Sequence, residues 1–385
     1  MQLVSIEIND PAAGWRLQHT EFFPDVTLLV GLSGVGKTRI LESIKKLSSI
    51  SRGKTSARFF GINWKIQFKH ENKEFHWSGE FEAASEATLG VDTRMETAFI
   101  DEDEDAPRPS LVGEILEIDK KVVASRQGDD ILLNGTKTPK LSNKESLIHI
   151  LKNEHGIGDA HKALDSILHV DHSEAGRRFF SFGGNFDNLK KKFKTVEQIR
   201  AEDMPTNLKL ALTHENCKKV FDEIVTQFQE AFPYVEEVGL EFAEAGPFGT
   251  VPRLYMKEVG VDQIIPEESF SSGMHRTLLH LSRMSLWPDG TVVLVDEFEN
   301  SFGVNCIHYV THDLQVHSQR MQFILTSHHP YIINNIDKKN WKIVSRKGDA
   351  VSVEGSELLA NKSSHHEAFL QLLNLPQYSE GISAE

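Results

Sequence analysis

Val26-Thr27-Leu28-Leu29-Val30-Gly31-Leu32-Ser33-Gly34-Val35-Gly36-Lys37-Thr38 decides the reading of this chain. Val26 to Val30 is an apolar run of strand length, and Gly31 to Thr38 fits GxxxxGK[ST] without a mismatch. Beyond Thr38, apolar residues return at helical spacing: Ile40, Leu41, Ile44 and Leu47. Strand, glycine-rich turn and helix in that order make a cradle for a polyphosphate. The glycines let backbone N–H groups curl around the anion, and the helix start adds partial positive charge. Gly31, Ser33, Gly34, Gly36, Lys37 and Thr38 form this cradle. Lys37 can bridge the β- and γ-phosphates of ATP, and the Thr38 hydroxyl can ligate Mg²⁺.

Composition sets the surroundings. The 385 residues are 39% hydrophobic and 25% charged, which excludes wholesale disorder and allows a sizeable core. A formal net charge of −14 argues against a surface that attracts nucleic acid everywhere. One local basic cluster, Lys190-Lys191-Lys192-Phe193-Lys194 with Arg177 and Arg178 upstream, leaves DNA or an acidic partner open. Cys217 and Cys306 form no framework, which fits a reducing compartment. No apolar run approaches the length of a membrane span, and Met1 to Ile8 alternates like a strand rather than a signal peptide. The expectation is a soluble cytoplasmic protein.

Alternating residues predict a strand over 3–8 and antiparallel strands within 56–100; 114–120 and 121–125 flank a short turn, and Ile131-Leu132-Leu133 leads into the hairpin signal Asn134-Gly135. The acidic run Asp101 to Asp105 reads as a solvated loop. Helical periodicity begins near Asn143, and the longest helix is expected over 207–232, closed by Pro233. Buried strands are predicted at 291–295 and 322–326, with a helix over 271–286 before them. The pattern divides into an N-terminal part with the phosphate loop and a β-rich lobe (1–142) and a helical insert (143–235). A second core part (236–345) and a hairpin, helix and tail (346–385) follow. Neither His169-Val170-Asp171-His172 nor His365-His366 has the partner spacing of a zinc site.

Three further clusters carry chemistry. Asp296 and Glu297 stand where the 291–295 strand ends. There Asp296 can support Mg²⁺, and Glu297 can accept a proton from an attacking water. His328 follows the 322–326 strand and can reach the same sheet edge. Ser271-Ser272-Gly273 opens a helix, a second anion-binding end without its own lysine.

In this order the clusters resemble the ATP-binding-cassette (ABC) class of ATPases, nearest its SMC, Rad50 and RecF branch and the stand-alone ATPases related to OLD proteins. Gly31 to Thr38 resembles Walker A, Phe270 to Met274 the signature motif, Val292 to Glu297 Walker B, and His328 the switch histidine. The resemblance implies an α/β ABC-type head, mixed sheets around a phosphate-loop core with a helical insert. It implies hydrolysis of ATP with Mg²⁺, Lys37, Glu297 and His328 being catalytic and Thr38 and Asp296 holding the metal. It also implies that Ser271 and Gly273 bind the ATP of an opposite subunit, hence a homodimer or higher homo-oligomer.

Departures include Ser33 where RecF-like relatives carry Asn, and Glu299-Asn300 without the "LHP" that usually follows. Gln67 and Gln127 are both candidates for the Q-loop glutamine. No heptad arm interrupts the chain, and too few residues follow His328 for the Toprim domain of OLD nucleases. The chain resembles ATPase subunits of antiphage systems such as PARIS and Septu, where a separate effector, a Toprim or HNH nuclease, does the damage. The alternatives are a RecF-like repair ATPase on duplex DNA and, less well matched, a transporter's ATP-binding subunit.

Overall fold

A computed structural model of the chain describes residues 1–56, 59–84, 108–170, 186–244, 250–300, 302–358, 370–371, 373–374 and 382–383. The acidic run 101–105, Arg177, Arg178, Asp171, His172, Ser301, His365 and His366 lie outside the described residues.

The first half of the chain contributes β1 (Gln2–Asp10), β2 (Trp15–Glu21), β3 (Val26–Val30), β4 (Asn63–His70), β5 (Lys73–Phe81), β6 (Leu111–Ile118), β7 (Lys121–Gln127), β8 (Asp130–Leu133), β9 (Thr136–Lys137) and β10 (Ile167–Val170). The second half adds β11 (Val235–Glu244), β12 (Thr250–Glu258), β13 (Ile265–Pro266), β14 (Val292–Val295), β15 (Gln322–Thr326), β16 (Trp341–Lys347), β17 (Ala350–Gly355) and β18 (Ile382–Ser383). The α-helices are α1 (Lys37–Ser51), α2 (Leu147–Ile150), α3 (Ile157–Asp165), α4 (Phe186–Lys192), α5 (Val196–Ala201), α6 (Thr206–Asn216), α7 (Lys218–Ala231), α8 (Ser272–Leu286), α9 (Val304–His317) and α10 (Pro330–Asn335).

One continuous sheet runs β10-β14-β15-β3-β16-β17-β2-β1-β4-β5-β6-β7-β8-β9, with β18 beside β16. From β10 to β16 the neighbours are parallel, and from β1 to β9 they are antiparallel. The parallel strands β3, β14 and β15 are buried throughout, as expected where helices cover both faces. Their side chains alternate between two cores. Leu29 packs with α1, α2 and α3, while Val26, Leu28 and Val30 pack with α9 and α10. Gln322 links the base of β15 to β1, its amide donating to Leu3 O at 2.8 Å and its Oε1 accepting the Leu3 N–H at 2.7 Å. β11, β12 and β13 form a separate small sheet, packed with α7 and α8.

Two expectations need correction. The helix expected over 207–232 is two helices, α6 and α7, parted at Cys217, whose φ of −135° is not helical. The stretch 143–235, read as helical, contributes a strand to the main sheet: β10 pairs in parallel with β14, Ile167 to Val292 through Val170 to Val295. The Asn134-Gly135 hairpin forms between β8 and β9, with φ of 48° and 78° at its two central residues. Among the described residues no helix is long and apolar enough to cross a membrane.

Candidate nucleotide site

β14, β15 and β3 lie side by side and parallel, so their carboxyl ends open on one crevice, where ligands of open α/β sheets bind. The loop after β3 leads into α1. Gly36 precedes the helix at φ 110°, a conformation that side chains with a Cβ resist. Gly31 lies so close to β16 that a Cβ there would stand 2.5 Å from Val344 O. The first turn of α1 has no acidic residue and no side-chain cap, leaving its N–H groups for an anion.

Lys37 is 5% exposed, and its ammonium donates to Gly31 O and Leu32 O, both at 2.8 Å. Burial lowers its pKa to about 8, against the opposing pull of Asp296, Glu297 and Glu299. The Thr38 hydroxyl donates to the Asp296 carboxylate, at 2.9 Å to Oδ2 and 3.1 Å to Oδ1. These hard oxygens fit Mg²⁺, which Thr38 and Asp296 would hold. Among the described residues no three His, Cys, Asp or Glu side chains converge as a metal site.

Thr326, the last residue of β15, organises the turn after β14. Its hydroxyl donates to Asp296 Oδ1 at 2.7 Å and accepts the Glu297 N–H at 2.8 Å. Its carbonyl accepts the Phe298 N–H at 2.9 Å. Glu297 is thereby held at φ 47°, a left-handed conformation uncommon for a residue with a long side chain, and its carboxylate side is exposed. The adjacent histidines have different surroundings. His329 accepts the Tyr331 N–H on its ring and caps α10. His328 is exposed, and burial of part of its ring together with the charge of Lys37 lowers its pKa. Its backbone N–H donates to Glu299 Oε1 at 2.7 Å.

The strand ends thus bring together Lys37, Thr38, Asp296, Glu297 and His328. Thr326 and Glu299 complete the cluster and were missed as participants in the sequence. Thr326 read as an ordinary strand residue, whereas the Glu299-Asn300 pair was the available signal for the other.

Ser271 and Gly273 sit elsewhere. Ser271 is exposed and caps α8, accepting the Met274 N–H at 3.2 Å, and the packing of Gly273 is toward Gly303. Gln67 and Gln127 both lie in the antiparallel strands, whereas the outer neighbour of β14, which delivers Asp296, is β10. The basic cluster does not present an aromatic between free lysines. Phe193 is buried, Lys190 pairs with Glu215, and Lys192 lies 3.7 Å from Glu202.

No curated protein matches the chain. Among solved structures, an SMC head bound to the C-terminal winged-helix domain of ScpA aligns at 13% identity and TM-score 0.48, covering 92% of this chain and 97% of its own. The SMC head domain from Thermotoga maritima aligns at 12% identity and TM-score 0.43, covering 92% and 99%. An Smc head with an extended coiled coil, bound to the C-terminal domain of ScpA derived from Pyrococcus furiosus, aligns at 13% identity and TM-score 0.46, covering 97% and 99%. A family model described as "AAA domain, putative AbiEii toxin, Type IV TA system" matches residues 26–334, from the strand before the phosphate loop to α10. With that match spanning most of its length, the chain belongs to the family described as "AAA domain, putative AbiEii toxin, Type IV TA system".

Proposed function

We infer that the protein binds and hydrolyses ATP with Mg²⁺, and that two copies close head to head around two nucleotides. The observation carrying this reading is the convergence of Lys37, Thr38, Asp296 and Glu297 at neighbouring strand ends, joined by Thr326. On binding, the Lys37 ammonium exchanges its two loop carbonyls for phosphate oxygens, a stronger charge-assisted pairing. Mg²⁺, when bound, neutralises phosphate charge. Glu297 accepts the proton of the attacking water, and the His328 ring donates to the terminal phosphate. Among the described residues the Ser271 hydroxyl hydrogen-bonds within its own helix, which supports its role as a group offered to the nucleotide of a second copy.

In this reading ATP occupancy switches the dimer, and the dimer controls a separate effector, a nuclease, in prokaryotic antiviral defence. The family description names a putative toxin of a Type IV toxin–antitoxin system. Pairing of Lys190 and Lys192 with carboxylates, and burial of Phe193, weigh against clamping of duplex DNA.

Light scattering on the full chain tests the dimer, with Mg²⁺ and either ATP or ADP. ATP should double the mass of Glu297→Gln protein, and Ser271→Arg should abolish that doubling while ATP still binds. A monomer under saturating ATP would refute the head-to-head arrangement. Isolation of the native complex tests the effector: a nuclease that co-purifies supports the switch, and ATP-dependent, salt-sensitive DNA binding without one supports repair.

A further inference from the structure

Glu299 follows Glu297 by two positions, in the turn that leaves β14. Its Oε1 accepts the backbone N–H of His328 at 2.7 Å. Its Oε2 is buried and has no hydrogen-bond partner among the described residues. An unpaired buried polar atom is costly, the more so when charged, so packing alone does not account for a carboxylate here. Its charge bears on both Lys37 and His328, and on His328 it counts for more than that of Glu297 or Asp296.

Two roles are open to a carboxylate so placed, and they differ in sign. As a bare charge beside a polyphosphate it would repel the ligand, so its removal would tighten ATP binding. As an anchor for the segment after β15 it would hold the His328 ring within reach of the terminal phosphate, so its removal would loosen ATP binding. The short bond to the backbone N–H favours the anchor. Backbone position decides where the ring can reach, and small misplacements at a reacting group are costly.

We propose that Glu299 is a positioning residue that fixes the His328 loop for recognition of the terminal phosphate. This role rests on the ATPase reading above. It predicts discrimination of ATP from ADP, because ADP lacks the group that His328 would contact.

Titration of the full chain with fluorescent ATP and ADP analogues in Mg²⁺, alongside kcat and KM, tests the proposal. Glu299→Ala should lower ATP affinity and kcat each about tenfold, with ADP affinity changed less than about twofold. His328→Ala should match it, and the double variant should lose no more than the worse single one, since both remove the same contact. Glu299→Gln keeps an acceptor for the His328 N–H and should stay nearer wild type. Glu299→Asp keeps the charge but falls one methylene short, and should resemble Glu299→Ala. The Gln and Asp pair carries the test if the Ala variant does not fold. Tighter ATP binding, additive losses in the double variant, or Asp outperforming Gln would overturn the proposal. If wild type bound neither nucleotide, the ATPase reading would fail and this role with it. If wild type bound and hydrolysed ATP normally and Glu299→Ala matched it, the anchor role alone would fail.

Discussion

The hydroxyl of Thr38 lies 2.9 Å from Oδ2 of Asp296, although 258 positions separate the two residues in the chain. That contact closes the site across two strands, since β15 lies between β14, which delivers Asp296, and β3, which leads to Thr38. Thr326 at the end of the middle strand bonds to the same carboxylate, so the three strand ends behave as one unit.

Glu297 faces outward from that unit and makes no claim on the lysine's bonds. Glu297→Gln is expected to preserve ATP affinity and slow steady-state hydrolysis by about 100-fold or more, the scale of a lost general base. Lys37→Ala should instead weaken nucleotide binding itself, because in the proposed reading its ammonium leaves the Gly31 and Leu32 carbonyls for phosphate oxygens. Phosphate release and equilibrium binding, measured on the same samples, separate the two effects. Near-normal turnover in Glu297→Gln would remove the base assignment.

Thr326→Val keeps the shape of a buried strand residue and deletes the hydroxyl between Asp296 and Glu297. Expected are a fall in kcat of about 10–100-fold and a stability loss near 1 kcal/mol. Pre-steady-state hydrolysis and a denaturant melt check both. Unaltered turnover would show that Glu297 holds its unusual backbone conformation without this bond.

Glu114 is a wholly buried carboxylate in the antiparallel lobe. It accepts from Trp77 Nε1 at 2.9 Å, Ser146 Oγ at 2.6 Å and the Leu147 N–H at 2.8 Å, and Arg126 Nε lies 3.8 Å away. Burial pushes its pKa up against these partners. Glu114→Ala leaves a buried guanidinium without its carboxylate and should cost about 3–5 kcal/mol, read from urea unfolding. Replacement with little loss would mean that water enters the lobe to solvate Arg126.

Asp313 of α9 lies 3.4 Å from His280 Nε2 of α8 and 3.3 Å from His317 Nε2, with Arg320 nearby. Burial alone would raise its pKa, but the two imidazoles more than offset that and hold it below the ordinary aspartate value. On acidification the unfolded chain therefore takes up this proton first. The stabilisation is complete above the unfolded aspartate pKa and disappears as pH falls through the lower folded one. Asp313→Asn should lose about 1–3 kcal/mol near neutrality, and its deficit against wild type should shrink in acid. Unfolding curves across the acid range check the sign. A deficit that grows in acid would contradict it.

The phosphate loop was legible in sequence because its positions carry steric demands of their own, as Gly31 against β16 and Gly36 at its positive φ show. The turn at Asn134 and Gly135 was legible for the same reason. The break at Cys217 was not, because neither glycine nor proline marks it and the polar stretch Thr213 to Lys219 reads equally as the outer face of one helix. Ile167–Val170 was read with the helices because so short an apolar run has no decisive period; its partner β14 settles the matter. Phe193 illustrates a different limit: a basic run looks like a surface until the fold shows which of its members turns inward. Thr326 required a view of two strands at once.

The position of β3 between β15 and β16 has a consequence for biosynthesis. A ribosome that has released the chain through residue 300 has delivered the phosphate loop on an apolar strand with both edges bare. The antiparallel lobe can zip up early from neighbouring hairpins, but the strand that leads to Lys37 must wait for partners made about 300 residues later. Bare strand edges attract chaperones or other nascent chains, so the interval of elongation is its most vulnerable one. A product terminated before β15 would lack the strands that wall the crevice beside the phosphate loop.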